Sequence, residues 1–136
     1  MTNLQLCELI SSLVDMFIFV ETKLHKPTNT SSLLPNYDVI SHLAKRKTCR
    51  RGISVFYSSK IRYRITTDFI SKKFDIIWLR LKLQHKDQIF CFFYAPGANH
   101  PDEDITSFYD DFREGYQRYP DDVEIFIMGD SYARLG

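Results

Sequence analysis

The chain has 136 residues, 44% apolar and 15% aromatic, with 26% charged side chains and a formal net charge of +1. That is enough for one folded domain with a real core, and too close to neutral for a polycation that holds nucleic acid by bulk charge. Cys7, Cys49 and Cys91 form neither a Cys-x-x-Cys pair nor a zinc cluster with histidine, and neither a secretory leader nor a membrane-spanning run is expected, which fits an intracellular protein, nuclear or cytoplasmic.

Leu6, Leu9, Ile10, Leu13 and Val14 recur at steps of three and four and predict a short helix with one apolar stripe. Met16-Phe17-Ile18-Phe19-Val20 is apolar without alternation, as a central strand covered on both faces would be, and it stops at Glu21. Residues 23–41 carry Pro27, Pro35, several asparagines and a Thr/Ser cluster, and read as a long irregular connection.

From Ser41 to Thr67 no acid occurs, while Lys45, Arg46, Lys47, Arg50, Arg51, Lys60, Arg62 and Arg64 are all basic. Such a segment neutralises phosphates if it faces nucleic acid, and is a solvated basic face if it does not. Within it, residues 52–57 predict a strand, and Ile61, Tyr63 and Ile65 alternate with Arg62 and Arg64 as a half-exposed one. Ile77, Leu79, Leu81 and Leu83 alternate with Trp78, Arg80 and Lys82; a polar turn and an apolar run over residues 89–94 complete a hairpin.

After Ala95-Pro96-Gly97, the acids Asp102, Glu103 and Asp104 sit where a helix N-terminus favours negative charge. Ile105, Phe108, Tyr109, Phe112 and Tyr116 follow at helical spacing, with Pro120 as the stop. Val123-Glu124-Ile125-Phe126-Ile127-Met128 predicts the last strand, with Gly129-Asp130 in a tight turn behind it. The whole reads as a mixed sheet with helices packed on it.

Three polar residues each stand at or just after the end of an apolar strand: Glu21, Tyr94 and Asp130. Sheets of this kind place their sites at strand ends. A carboxylate there can hold a hard cation, a second can deprotonate a water, and a phenol can donate to a phosphate oxygen. Ordinary turn residues would be spaced in the same way.

Phe19-Val20-Glu21-Thr22-Lys23-Leu24, Arg51-Gly52-Ile53-Ser54-Val55, Phe93-Tyr94-Ala95-Pro96, Phe108-Tyr109-Asp110-Asp111-Phe112 and Ile127-Met128-Gly129-Asp130-Ser131-Tyr132 occur in this order. Together they resemble the endonuclease/exonuclease/phosphatase superfamily, with most similarity to the endonuclease domain of non-LTR retrotransposons, which is associated with a reverse transcriptase. The resemblance runs through the whole chain but covers only the first part of the family's domain. It implies an α/β (α+β) fold: a partial four-layer sandwich of the deoxyribonuclease I type, with a mixed, mostly antiparallel sheet and helices on one face. Residues 1–136 are then a single partial domain, without the family's first strand or its C-terminal half.

The implied activity is Mg²⁺-dependent hydrolysis of DNA phosphodiester bonds. In that scheme Glu21 matches the metal-binding glutamate, Tyr94 the active-site tyrosine, and Asp130 the aspartate that handles the attacking water. The family's asparagine falls on Tyr132, a bulky ring with a single hydroxyl. Losing a transition-state donor of that kind costs about 3 to 4 kcal/mol, on the order of 10²- to 10³-fold in rate. Hence three readings stand: an endonuclease fragment that is weak or inactive, a non-catalytic nucleic-acid-binding or interaction module, and a phosphatase of small phosphoesters. With roughly one sheet expected, residues 16–20 and 89–93 should leave an apolar sheet face exposed, open to self-association.

Overall fold

Apolar runs separated by polar turns form seven strands, one α-helix and one 3-10 helix over residues 16–20, 36–42, 52–97 and 100–130, which the computed structural model describes. In chain order these are β1 (Met16–Val20), β2 (Tyr37–His42), β3 (Ile53–Ser58), the 3-10 helix (Ser59–Arg64), β4 (Ile65–Ile70), β5 (Asp75–Lys82), β6 (Asp87–Tyr94), α1 (Asp102–Gln117) and β7 (Glu124–Asp130). The helix expected over residues 6–14 lies outside the described residues.

β1, β3 and β2 form a three-stranded antiparallel sheet in that order, with Val20 and His42 both opposite Ile53. The central strand is therefore β3, not β1. An unbroken apolar run reports covered faces, whereas rank within a sheet depends on ladder partners, which side chains do not encode. β2 lies inside the segment expected to be irregular. Its Asp38, Ser41 and His42 hide the strand from a hydrophobic count, yet Ile40 packs on the core and Ser41 Oγ meets Ser54 Oγ at 2.9 Å.

The alternation at Ile61, Tyr63 and Ile65 is not a strand until Ile65. Ser58 Oγ accepts from the Lys60 N–H at 3.3 Å and starts a 3-10 turn, and Tyr63, which a strand would turn inward, is 75% exposed. Five residues are too few to separate the two periods.

The second sheet has the order β4-β5-β6-β7, antiparallel except for the parallel pair β6 and β7, which α1 connects. β3 contributes Ile53 and Val55 against Ile77, Leu79, Phe92 and Tyr94, so the two sheets pack face to face. The opposite face of the second sheet buries Phe74, Ile76, Trp78, Ile89 and Cys91 beneath Phe108 of α1. Burial also pushes the Cys91 thiol up, away from a reactive thiolate.

This sandwich corrects the expected bare sheet: Ile89 and Cys91 are 0% exposed because β6 is covered by a sheet on one side and a helix on the other. Exposed apolar surface falls instead on β7, at Phe126, Ile127 and Met128. No helix among the described residues is long and apolar enough to cross a membrane.

Trp78 organises the helix contact, with ring centroids of Phe69, Tyr119 and Phe112 at 5.4, 5.6 and 5.7 Å. Gly115 is where α1 crosses it: a Cβ there would lie 2.8 Å from the indole. Alanine would gain about 1 kcal/mol of helix propensity, but overpacking of this kind costs about 1 to 3 kcal/mol. We expect Gly115→Ala to lower the urea midpoint; an unchanged or higher midpoint would show that α1 shifts freely over Trp78.

Candidate active site

The strand register brings Asp75, Tyr94 and Asp130 into one row across three strands. Asp75 is opposite Tyr94 in the antiparallel pair, and Tyr94 is opposite Asp130 in the parallel one. Neighbouring strands are about 5 Å apart, so these residues are direct neighbours on one face. Tyr94 belongs to the core between the two sheets and is 4% exposed, so that face is the inter-sheet one.

Asp130 is not in a turn, as the sequence suggested, but is the last residue of β7. Its carbonyl accepts from the Ala95 N–H at 3.0 Å and keeps the ladder closed to the end. Gly129 explains why the strand can run so far. A Cβ there would stand 2.2 Å from the Phe93 carbonyl oxygen and 2.7 Å from its ring. Only glycine admits this approach, so the Gly-Asp pair is one structural unit. The Asp130 side chain is half-buried and, among the described residues, makes no hydrogen bond or ion pair.

Asp75 was not singled out by sequence reasoning. It is 0% exposed and accepts from the Gly52 N–H at 3.0 Å. Gly52 has a φ of 80°, a left-handed conformation that accounts for the glycine before Ile53. The available signal was an acid opening an apolar strand, directly before Ile76 and Ile77. This bond ties the start of β3 to the start of β5. Because Val20 is opposite Ile53, β1 also ends at this end of the sandwich. Glu21 follows Val20 and lies outside the described residues, as do residues 131–136 with Tyr132.

His42 Nε2 donates to the Phe74 carbonyl at 3.0 Å and fastens β2 to the turn before β5. His85 is exposed on the β5–β6 turn, at the opposite end, and His100 Nδ1 is 3.3 Å from the Gly97 carbonyl. The basic segment divides as well. β3 starts beside Asp75 and ends in the 3-10 helix, so Lys60, Arg62 and Arg64 sit at the far end from Tyr94 and Asp130. There Arg62 is held by Asp38, whose hydrogen bonds raise the pKa of the guanidinium, and Arg64 lies 5.0 Å from the Tyr63 ring centroid. Residues 45–51 lie outside the described residues.

Among the described residues, two clefts of about 600 Å³ flank the second sheet. One lies between the β4–β5 turn and α1, lined by Lys73, Asp111 and Arg118 among others; the second opens at the β5–β6 turn beside Arg80 and His85. Neither contains Tyr94 or Asp130, and the first is on the α1 face, where those side chains do not point. Among the described residues no three His, Cys, Asp or Glu side chains converge as metal ligands. The donors at the row are the right kind for Mg²⁺, which prefers oxygen, but Asp75 is bound to Gly52, while the Asp130 carboxylate makes no hydrogen bond or ion pair among the described residues. The described residues fit one ligand or one base, not a complete metal centre.

The fold is a two-sheet α/β sandwich of the deoxyribonuclease I-like type. Among solved structures, the chain is similar to the human Nocturnin catalytic domain, determined with a bound sulfate anion: the TM-score is 0.55 at 13% identity, covering 96% of this chain and 56% of that one. This chain thus spans little more than half the length of the domain it matches. No protein-family model matches the sequence, and no curated protein does.

Proposed function

We propose that the chain carries the first part of a Mg²⁺-assisted phosphodiesterase domain of the retrotransposon endonuclease type, acting on DNA and slow in this form. The observation that carries the reading is the Asp130 carboxylate, without a partner among the described residues and in register with Tyr94 at the strand ends. A carboxylate so placed can take a proton from an attacking water. The Tyr94 hydroxyl can donate to a phosphate oxygen and fix the phosphodiester beside Asp130. Mg²⁺ held through Glu21 would neutralise charge on the phosphate and leaving oxygen. The bound sulfate in the similar catalytic domain, a tetrahedral anion shaped like phosphate, supports an anion site on this fold.

Supercoiled plasmid incubated with the chain and Mg²⁺ is expected to be nicked slowly, and not at all with EDTA. Equal nicking by the Asp130→Ala protein would sink the catalytic reading. The second reading, a nucleic-acid-binding module, is favoured by Tyr132 standing at the family's asparagine position. A plasmid shifted in a gel but nicked by neither protein would select it.

A further inference from the structure

Among the described residues, two side-chain hydrogen bonds fasten the first sheet to the second at the end that carries Tyr94 and Asp130, and they land on consecutive residues. The His42 ring, at the end of β2, donates to the Phe74 carbonyl at 3.0 Å, and the Gly52 N–H, directly before β3, donates to the Asp75 carboxylate at 3.0 Å. Deeper between the sheets, Ile53 and Val55 meet Ile77, Leu79 and Phe92. Apolar contact of that kind is non-directional, so it holds two sheets together without fixing where one lies along the other. A hydrogen bond from a backbone N–H to a carboxylate is short and directional, and fixes that position.

Asp75 is an unfavourable residue to spend on packing alone. It is 0% exposed, between Phe74 and Ile76 at 1% each, and a buried carboxylate is expensive unless hydrogen bonds compensate it. A leucine would be buried there without that cost, but it could not hold Gly52. The bond also reaches beyond Gly52. On one side, β3 pairs with β1 through Ile53 and Val20, the residue before Glu21; on the other, Asp75 is opposite Tyr94, which is opposite Asp130. One carboxylate thus stands between the strand that ends before Glu21 and the strands that carry Tyr94 and Asp130.

We propose that Asp75 is a positioning residue of the candidate active site: through Gly52 it sets where β3 and β1 meet the row of Tyr94 and Asp130, without itself touching phosphate or metal. Its effect on nicking rests on the phosphodiesterase function proposed above, whereas its effect on the sheets does not.

Amide hydrogen exchange tests the effect on the sheets. The Ala95 N–H, bonded to the Asp130 carbonyl, reports on the row, and the Leu83 N–H, bonded to the Lys86 carbonyl, reports on the turn at the opposite end. Asp75→Ala should speed exchange of Gly52 and Ala95 by about tenfold or more, the effect of stripping a buried donor of its partner, with Leu83 within about threefold of wild type. Asp75→Asn keeps an acceptor for Gly52 and should leave all three near wild type. An unmoved Ala95, or a Leu83 that speeds up equally, would overturn the proposal. If Asp75→Ala does not fold, the wild type decides: in rising urea the Gly52 and Ala95 amides should open in one step, and separate opening counts against Asp75.

Nicking of supercoiled plasmid tests the catalytic consequence. Asp75→Ala should raise the Mg²⁺ concentration for half-maximal nicking by about tenfold, as loss of a residue supporting a metal site does, and Asp75→Asn should restore it. A residue that only stabilises the fold would lower nicking with the folded fraction and leave that concentration unchanged, which would overturn the proposal. Asn as damaging as Ala would do so too, by making the charged carboxylate itself a ligand. A wild type that nicks nothing would overturn the phosphodiesterase function instead, and the exchange rates would then decide the role of Asp75.

Discussion

Gly129→Ala is expected to destabilise the protein by about 3 kcal/mol, at the upper end of overpacking costs. Most glycine-to-alanine changes in strands cost little or help, because alanine loses less chain entropy on folding. Here the added methyl would meet the Phe93 carbonyl oxygen at 2.2 Å and the Phe93 ring at 2.7 Å. A ring tip can turn away, but a ladder carbonyl cannot move without breaking the β6–β7 pairing that also holds Asp130. With a urea dependence of about 2 kcal/mol per molar, the midpoint should fall by roughly 1.5 M. Domains of this size have about 5 to 15 kcal/mol in hand, so the variant should still fold. A midpoint within about 0.3 M of wild type would mean that β7 is loosely held, and would remove the reason for placing Asp130 beside Tyr94.

The strands most legible in the sequence were those with one rule operating along their length. β5 alternates, β6 is apolar from Ile89 to Tyr94, and α1 repeats at helical spacing, and each formed around its pattern. Legibility failed where two rules overlapped. In β2, polar residues serve the sheet through hydrogen bonds such as Ser41 to Ser54, which no hydrophobic count sees. In the 3-10 helix a serine cap captured a segment whose alternation suited a strand. The three-stranded sheet was missed for the same reason, since β2 is one of its strands.

At the candidate site, the sequence marked Tyr94 and Asp130 as strand-end residues but could not show that they are opposite each other. That follows from β6 and β7 being parallel and from Gly129 extending the ladder. Asp75 was overlooked because an acid before an apolar strand looks like a turn. Its role appears only once Gly52, 23 residues earlier, donates to it. Lys60, Arg62 and Arg64 lie at the far end of the sandwich from Asp75 because β3 carries the chain from one end to the other in six residues, a separation that a run of basic residues in the sequence does not show.

Asp130→Ala is expected to reduce Mg²⁺-dependent nicking by 10²- to 10⁴-fold, the range for losing a positioned acid or base. Its structural cost should be small, since the carboxylate is half-buried and supports no hydrogen bond or ion pair among the described residues. This separates it from Gly129→Ala, which should lower stability and nicking together. Paired measurement of urea midpoint and nicking rate therefore distinguishes a base from a structural residue. Tyr132→Asn restores the amide that the family resemblance places two residues after Asp130. If the match to little more than half of a similar catalytic domain reflects missing active-site groups, that single change leaves nicking within about tenfold of wild type, well short of the 10²- to 10³-fold a lone donor supplies. A rise of that full size would identify Tyr132 as the main defect and show that the row of Asp75, Tyr94 and Asp130 is otherwise sufficient.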